Sequence, residues 1–385
     1  MVAANKIMKQ EVVISKNPDV KQAVDELYRK LKNKKDPILV IFLASTLYDF
    51  DILTKEIKKY FPKSEVVGAT TSGEIVKEGF IDKSIVLTTL TCDKTKVKAT
   101  LIKDAVKFPV LEKNKILKTA EECGINCNSS DFHKDAFAMT LINGNCSIEE
   151  IILSLFYAVI KNDEFQLAGG SAGDDMKFQK TFISLNGEIT STGAVIIFFK
   201  TQCNFKIVKE NIYYPIGESL VLTDVDIEKR KIKKIDNRNP TDVLSEKIKI
   251  PKHMLSEQIL NYPLGRVIGN ETYLCSLKNI DSQGMLDLYI NIMPNTKLEI
   301  LKSANVIETV ENTCEKIQKE VNNVEFMFFI NCILRTLDLK NLQQCNLITQ
   351  IYDKHFPTFC GFSSYGEQYN KLNLNQTVVM IAMGE

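Results

Sequence analysis

Residues 66–74 read Val66-Val67-Gly68-Ala69-Thr70-Thr71-Ser72-Gly73-Glu74, an apolar segment that ends in a turn of small residues. Segments of the same kind recur at residues 167–174 and 359–367. Each turn contains a hydroxyl residue, any residue, a glycine and a carboxylate. These pairs of hydroxyl and acid are Thr71 with Glu74, Ser171 with Asp174, and Ser364 with Glu367. Three such turns in one chain indicate a structural unit that is used three times.

The elements around the turns recur too. Before each turn, a continuous β-branched and aromatic run predicts a strand buried on both faces; these runs are residues 38–44, 136–142 and 324–333. Amphipathic helices are predicted next, over residues 51–60, 147–161 and 341–354. Another strand follows each turn, over residues 84–91, 180–185 and 377–383. We therefore predict an α/β fold of two related halves built from strand-helix-strand-turn-strand units, with mixed sheets and helices on their outer faces.

The spacing of the units is uneven. Gly73 and Gly173 are 100 residues apart, whereas Gly173 and Gly366 are 193 residues apart. A fourth unit would have to lie around Gly269, but that segment has no hydroxyl-x-glycine-acid core. We therefore count three units.

The length of 385 residues exceeds what one core usually supports, so two domains are expected. We predict an N-terminal extension that joins the first sheet (residues 1–34) and a first domain (residues 35–212). A connecting charged segment (residues 213–249) then leads to a second domain (residues 250–385).

Composition excludes several classes of partner. The 49 basic and 48 acidic residues give a net charge of +1, which provides no overall field for nucleic acid. The longest apolar runs, residues 37–44 and 326–330, are far shorter than a membrane-spanning helix, so no membrane insertion is expected. Ten cysteines without regular spacing, and no signal peptide in residues 1–16, predict a cytoplasmic protein.

At this point the motifs resemble a known family, the FIST sensory proteins. Residues 67–75 resemble the opening of the FIST N-terminal half, and residues 169–175 with Asn186-Gly187 resemble its later signature. In the C-terminal half, residues 331–335 resemble the cysteine-to-arginine element, residues 361–367 the glycine turn and residues 375–377 the closing Asn-x-Thr. One departure is Leu274-Cys275-Ser276, where an arginine is expected.

The resemblance implies a module that senses small ligands, with amino acids as the proposed class, and signals through proteins such as kinases or chemoreceptors. Because the FIST-like region fills this chain, we expect a stand-alone sensor that acts through a separate partner. No cofactor is expected.

The turns supply the predicted ligand site. Strand ends in α/β sheets form ligand crevices, and small residues let backbone N–H groups approach a ligand. As a hypothesis, the carboxylates meet a ligand amine and Arg335 clamps its carboxylate. The predicted ligand-binding residues are Thr71, Ser72, Gly73, Glu74, Gly170, Ser171, Asp174, Arg335, Ser364, Glu367 and Asn375. In the plainer interpretation the turns are structural and Arg335 forms an ordinary ion pair.

The alternative class is a hydrolase or acyl-transfer enzyme that uses Ser171 or Cys332. Residues 169–173 match Gly-x-Ser-x-Gly, but no helix signal follows directly, as the serine hydrolase elbow requires. Cys123, Cys127 and His133 do not match the spacing of a common zinc site. We therefore predict no catalytic and no metal residue. A purely structural adaptor without a cavity is the third alternative.

Overall fold

The computed structural model describes residues 8–34, 36–129, 131–269 and 271–385, so residues 1–7 of the predicted extension lie outside it. In these residues the α-helices are α1 (Val20–Lys30), α2 (Phe50–Tyr60), α3 (Lys113–Cys123), α4 (Glu149–Ile160), α5 (Pro240–Ile248), α6 (Leu255–Gln258), α7 (Val306–Glu320), α8 (Ile333–Asn341) and α9 (Cys345–His355). Short 3-10 helices are Pro109–Glu112, Phe132–Lys134 and Lys252–Met254.

The strands of the first half of the chain are β1 (Met8–Ser15), β2 (Leu39–Ala44), β3 (Glu65–Thr70), β4 (Glu74–Val76), β5 (Gly79–Ile81), β6 (Ile85–Cys92), β7 (Thr95–Ile102), β8 (Ala136–Ile142), β9 (Leu167–Ser171), β10 (Ile183–Leu185), β11 (Glu188–Thr190) and β12 (Ala194–Thr201). The remaining strands are β13 (Asn204–Asn211), β14 (Tyr213–Asp226), β15 (Lys231–Ile235), β16 (Leu264–Ile268), β17 (Glu271–Cys275), β18 (Leu277–Ile280), β19 (Leu286–Leu288), β20 (Lys297–Ser303), β21 (Val324–Cys332), β22 (Cys360–Ser364), β23 (Glu367–Tyr369), β24 (Leu372–Leu374) and β25 (Thr377–Gly384).

Three six-stranded sheets share one plan. Their orders are β1-β6-β2-β3-β10-β11, β7-β12-β8-β9-β23-β24 and β13-β25-β21-β22-β4-β5. In each sheet one central pair is parallel, namely β2 with β3, β8 with β9, and β21 with β22, while the neighbouring pairs are antiparallel. The fold is therefore mixed α/β, as predicted, and its repeat is threefold.

The glycine turns carry the chain from one sheet to another. After the turn at residues 71–74 the hairpin β4-β5 joins the sheet of β22, and after residues 171–174 the hairpin β10-β11 joins the sheet of β3. After residues 364–367 the hairpin β23-β24 joins the sheet of β9. The exchange is cyclic, so no sheet is complete without strands from another unit.

An insertion explains the uneven spacing. The three units are residues 8–92, 95–201 and 204–384, and the third is interrupted between β13 and α7. The interrupting residues contribute a fourth sheet, with the order β17-β16-β20-β14-β15-β19-β18, which we call the inserted sheet. It has its own apolar core, which includes Leu222, Ile235 and Leu244. Residues 213–249, expected as a charged connection, supply β14, β15 and α5 to this region because their apolar residues face that core.

The three sheets share an inner core and carry helices on their other faces. One apolar cluster contains Leu43, Met139 and Phe328, one residue from each sheet. Three further clusters lie between a sheet and its helices: α1 and α2 cover the first sheet, α3 and α4 the second, and α7 and α9 the third. Strands such as β2 and β8 are buried along their whole length, which accounts for their unbroken apolar sequences.

Three local predictions need correction. The strand at residues 180–185 is the short β10, which turns back at Asn186 and Gly187, both with positive φ, so β12 is the counterpart of β6 and β25. The helix predicted from residue 147 begins at Glu149, because Ser147 has a φ of 53°, and it has no side-chain cap. The strand predicted over residues 324–333 ends at Cys332, and the helix α8 follows at once, with Arg335 in its first turn.

Candidate ligand-binding site

The three glycine turns lie against one another. Their backbones are joined by hydrogen bonds from Gly173 N to Thr70 O (2.9 Å), from Ser171 N to Gly366 O (2.8 Å) and from Ser363 N to Gly73 O (2.8 Å). Close approach explains one of the glycines: a Cβ on Gly173 would lie 2.5 Å from Oγ of Ser72. Gly73 instead has a φ of 112°, a left-handed conformation that favours glycine.

The first turn is closed by its own side chains. Thr71 Oγ1 donates a hydrogen bond to one carboxyl oxygen of Glu74, and Ser84 Oγ donates to the other. Glu74 is 1% exposed. Burial raises the pKa of this carboxyl to about 8, against the lowering effect of the two hydroxyls.

The third turn repeats this arrangement. Ser364 Oγ donates to Oε1 of Glu367, while Oε2 accepts from Thr377 Oγ1 at 3.0 Å and from Thr377 N at 3.4 Å. Glu367 is fully buried, and burial again raises its pKa to about 8. In both turns, therefore, every carboxyl oxygen has a partner inside the protein.

The second turn differs from the other two. Asp174 accepts hydrogen bonds from the backbone N–H groups of Phe178 (2.8 Å), Gln179 (2.6 Å) and Lys180 (2.8 Å), and one from the hydroxyl of Tyr365. Burial alone would raise the pKa of Asp174, but these hydrogen bonds lower it below its usual value. The acid therefore holds the loop after the turn.

Ser171 donates its hydrogen bond to an acid outside its own turn rather than to Asp174. Its Oγ donates to Oε1 of Glu149, at the start of α4, over 3.2 Å. It also accepts from Nε2 of Gln368 at 3.2 Å. Glu149 is 6% exposed, and its Oε2 has no hydrogen-bond partner among the described residues. Burial raises the pKa of this carboxyl to about 7.

A cavity of about 980 Å³ adjoins the second turn. Its walls come from the β8–α4 loop with Glu149, the loop after the second turn, Tyr365, the start of α8, and two hairpins of the inserted sheet. The side chains that line it are those of Asn145, Ser147, Glu149, Phe178, Gln179, Glu228, Lys229, Arg230, Lys231, Lys278, Asn279, Asp287, Leu288, Tyr289, Ile333, Leu334 and Tyr365. Polar and aromatic groups thus converge in one hollow, as small-molecule sites require.

Few polar contacts join the inserted sheet to the second unit across this cavity. Arg230, in the turn after β14, donates to Glu150 of α4 over 3.1 Å and to the carbonyl oxygen of Tyr289. On the other side, the ring of Phe178 stacks on Tyr365 with centroids 4.7 Å apart. The cavity therefore lies between the second unit and the inserted sheet, which have separate apolar cores, whereas the inserted sheet also packs on the third unit through Tyr213, Leu274 and Leu301.

Arg335 lies away from the cavity lining and is fully buried. Its Nη2 forms an ion pair with Glu210, and its Nη1 donates to Asn331. Although burial lowers the pKa of a guanidinium, the charge of Glu210 raises that of Arg335 overall. This placement gives the predicted clamp on a ligand carboxylate no support.

Most of the other predicted ligand-binding residues are also buried where the three glycine turns contact one another. Ser72 Oγ accepts from Met176 N at 3.2 Å, and Gly170 packs on Ile330 and Phe362 of the third sheet. Asn375 is 2% exposed, with its Oδ1 unpartnered in the described part of the chain. The structure thus brings the predicted turn residues together, and their contact with a ligand stays a prediction.

Sequence reasoning missed the residues that line the cavity. The sequence pattern does not single out Glu149, which lies in the predicted helix over residues 147–161, and it treats Tyr365 only as the unspecified residue of the third turn. Tyr289 and Lys278 belong to the inserted sheet, whose position relative to the turns no local pattern encodes. A signal did exist in the third turn, because Tyr365 is the one aromatic residue among the three turn cores.

The alternative catalytic residues are enclosed. Ser171 is fully buried and bonded to Glu149 and Gln368, without the histidine base that the serine mechanism needs. Cys332 is fully buried, and burial raises the pKa of its thiol well above the usual value, which disfavours the nucleophilic thiolate. Within the described ranges no cluster of three or more His, Cys, Asp and Glu side chains could hold a metal ion.

Comparison with known proteins adds the family. No curated protein matches the chain. Among solved structures, cyanuric acid hydrolase from A. caulinodans matches with a TM-score of 0.37 and 5% identity over 98% of this chain and 100% of that one. PurLQS from Thermotoga maritima matches with a TM-score of 0.21 and 7% identity over 98% and 72%. Such distant likenesses carry no conclusion about fold or function.

In the described part of the chain, no helix is both long and apolar enough to cross a membrane. The FIST N domain matches residues 38–238, and the FIST C domain matches residues 240–370. FIST domains are generally regarded as sensory domains for small ligands in signal transduction. The chain belongs to the FIST family.

Proposed function

We propose that this protein is a small-ligand sensor, whose ligand binds in the cavity between the second unit and the inserted sheet. The observation that carries the proposal is the cavity itself: about 980 Å³, lined by polar and aromatic side chains, at a boundary between two cores. Ligand sites are preferentially found at such boundaries. The membership in a sensory family supports the same function.

The mechanism follows from the two bodies that form the walls. A ligand that touches both the β8–α4 loop and the hairpins of the inserted sheet would favour one relative arrangement of the two. The ion pair of Arg230 with Glu150 is the existing link that such a change would alter. A separate protein, such as a kinase or chemoreceptor, would then recognise the altered surface.

We propose an amino acid as the ligand class, with a revised set of contacts. Glu74, Glu367 and Arg335 are occupied by internal partners, so we assign the contact surface to the cavity beside the second turn, where Glu149 links the buried Ser171 to the lining. The cavity offers acidic groups such as Glu149 and basic ones such as Lys278, which suits a molecule with both charges. A zwitterion requires both to be paired when it leaves water.

Binding rather than catalysis, and a cytoplasmic location, complete the proposal. The enclosed Ser171 and Cys332 favour a binding role, and reaction of either with a fluorophosphonate or iodoacetamide at neutral pH would argue for an enzyme. All ten cysteines are free thiols, which fits a reducing compartment.

A thermal-shift screen against amino acids and other metabolites tests the proposal. A ligand at a hundred times its Kd stabilises the native state by about 2.7 kcal/mol, so a hit should raise the Tm measurably. Asn279→Trp, which fills the cavity from β18, should abolish the shift. Lys316→Trp, on an exposed part of α7, is the matched control and should retain it. An equal shift in the Asn279→Trp variant would place the ligand elsewhere.

A further inference from the structure

We propose that Glu149 receives a cationic nitrogen of the ligand, a primary ammonium or a guanidinium group, in the cavity beside the second turn. This inference rests on the proposed function and assigns the chemistry of one subsite. Its basis is an oxygen without a partner: Glu149 lines the cavity, is 6% exposed, and uses only Oε1, for Ser171 at 3.2 Å.

A buried carboxylate oxygen without a hydrogen bond is costly, and native proteins rarely tolerate one. The buried turn acids show the usual solution, because both oxygens of Glu74 and of Glu367 have partners. Glu149 differs from them in lining a cavity of about 980 Å³. A donor from outside the protein would complete its hydrogen bonds.

The charges around Glu149 favour a cation over a neutral donor. Arg230, whose charge already lowers the pKa of Glu149 somewhat, is bound to Glu150 at 3.1 Å and to the carbonyl oxygen of Tyr289. Burial raises the pKa of Glu149 to about 7, so a nearby positive charge is what would keep it ionised. Hydrogen bonds between ionised partners are also about twice as strong as neutral ones.

Two aromatic rings strengthen the same preference. Tyr365, in the third turn, and Tyr289, in the inserted sheet, both line the cavity. A cation near an aromatic face is attracted by the ring electrons. Phe178 stacks on Tyr365, and the ammonium of Lys278 lies 6.0 Å from the centroid of the Tyr289 ring, so the other face of each ring would have to favour an amine over its alcohol analogue.

The test compares benzylamine, which is an ammonium at neutral pH, with benzyl alcohol, its neutral counterpart, by saturation-transfer NMR titration. On the wild-type protein we expect the amine to bind about tenfold more tightly than the alcohol. Glu149→Gln keeps the shape and the contact to Ser171 but removes the charge, so the two probes should then bind within about twofold of each other. Glu122→Gln, which removes an exposed carboxylate of α3 outside the cavity lining, should leave the preference intact.

The outcomes separate the inference from the function on which it rests. Binding of both probes with equal affinity to the wild type, blocked by Asn279→Trp, would overturn the assignment of Glu149 while the cavity stays the ligand site. Failure of both probes and of the metabolite screen would overturn the proposed function and this inference with it. If Glu149→Gln does not fold, Glu149→Asp, which withdraws the carboxylate by one methylene, must weaken only the amine.

Discussion

The first and third turns resemble each other more than either resembles the second, although their sequence patterns are alike. Thr71 and Ser364 each donate to the acid of their own turn, and both acids are buried with a pKa raised to about 8. In the second turn Ser171 bonds to Glu149 instead, and the pKa of Asp174 is lowered. The same four-residue pattern thus closes the first and third turns, whereas in the second turn its hydroxyl bonds to Glu149, a residue that lines the cavity.

The difference follows from what surrounds each turn. The second turn is followed by a loop whose backbone N–H groups take up Asp174, which frees Ser171 for a residue from α4. In the first and third turns the acid is itself the first residue of a strand, β4 or β23, and its side chain is buried. A repeated motif can therefore be closed on itself in two copies and adjoin the proposed ligand site in one.

The closed surroundings of the third turn predict the largest effect. Arg335→Ala would leave Glu210 as an unpaired buried charge and should lower the free energy of unfolding by about 3–5 kcal/mol. Arg238→Ala removes an exposed ion pair with Glu246 and should cost about 0–1 kcal/mol. Chemical denaturation of both variants measures the difference. A small loss for Arg335→Ala would mean that its surroundings are open to solvent, as a ligand clamp requires.

The opposite pKa shifts of the turn acids predict a characteristic pH dependence. Glu74 and Glu367 have a folded pKa of about 8, above the reference of 4.5, so the stability they contribute is present at low pH and lost as the pH rises through this range. Each should change the free energy of unfolding by on the order of 1 kcal/mol per pH unit within that window. Asp174, with a lowered pKa, contributes stability that is lost on acidification.

Denaturation curves recorded between pH 4.5 and pH 8 test this. Glu74→Gln and Glu367→Gln should each flatten the decline seen in the wild type, whereas Glu122→Gln on the exposed face of α3 should not. A wild-type decline that persists unchanged in both turn variants would show that these acids are ionised in the folded protein.

Much of the fold could be predicted from the sequence because its central strands are buried on both faces. Runs such as residues 136–142 have one interpretation, and β8 has those bounds. The cyclic exchange of hairpins could not be predicted, since β4, β10 and β23 are three-residue strands whose pairing partners lie far away in the chain. Nor could the helix that begins at Ile333, because a short apolar run suits a strand and a helix equally well.

The site was predicted less completely, for a similar reason. The turn residues were identified because their pattern is local and repeats three times. The cavity is formed by α4, the inserted sheet and α8, which are distant in sequence, so no single segment predicts it. Arg335 illustrates the limit: an arginine after an apolar strand suits a ligand clamp and a buried ion pair alike, and only its distance to Glu210 distinguishes them.

One set of denaturation measurements tests the contrast between the turns most directly: Thr71→Val, Ser171→Ala and Ser364→Ala, each with and without the strongest ligand from the screen. We expect Thr71→Val and Ser364→Ala to lose about 1–3 kcal/mol, because each leaves a buried carboxyl oxygen unpaired, and to keep the stabilisation by ligand. Ser171→Ala also leaves a buried carboxyl oxygen unpaired, Oε1 of Glu149, and should lose about 1–3 kcal/mol too, but it alone should weaken the effect of ligand. Equal stabilisation by ligand in all three variants would contradict the account.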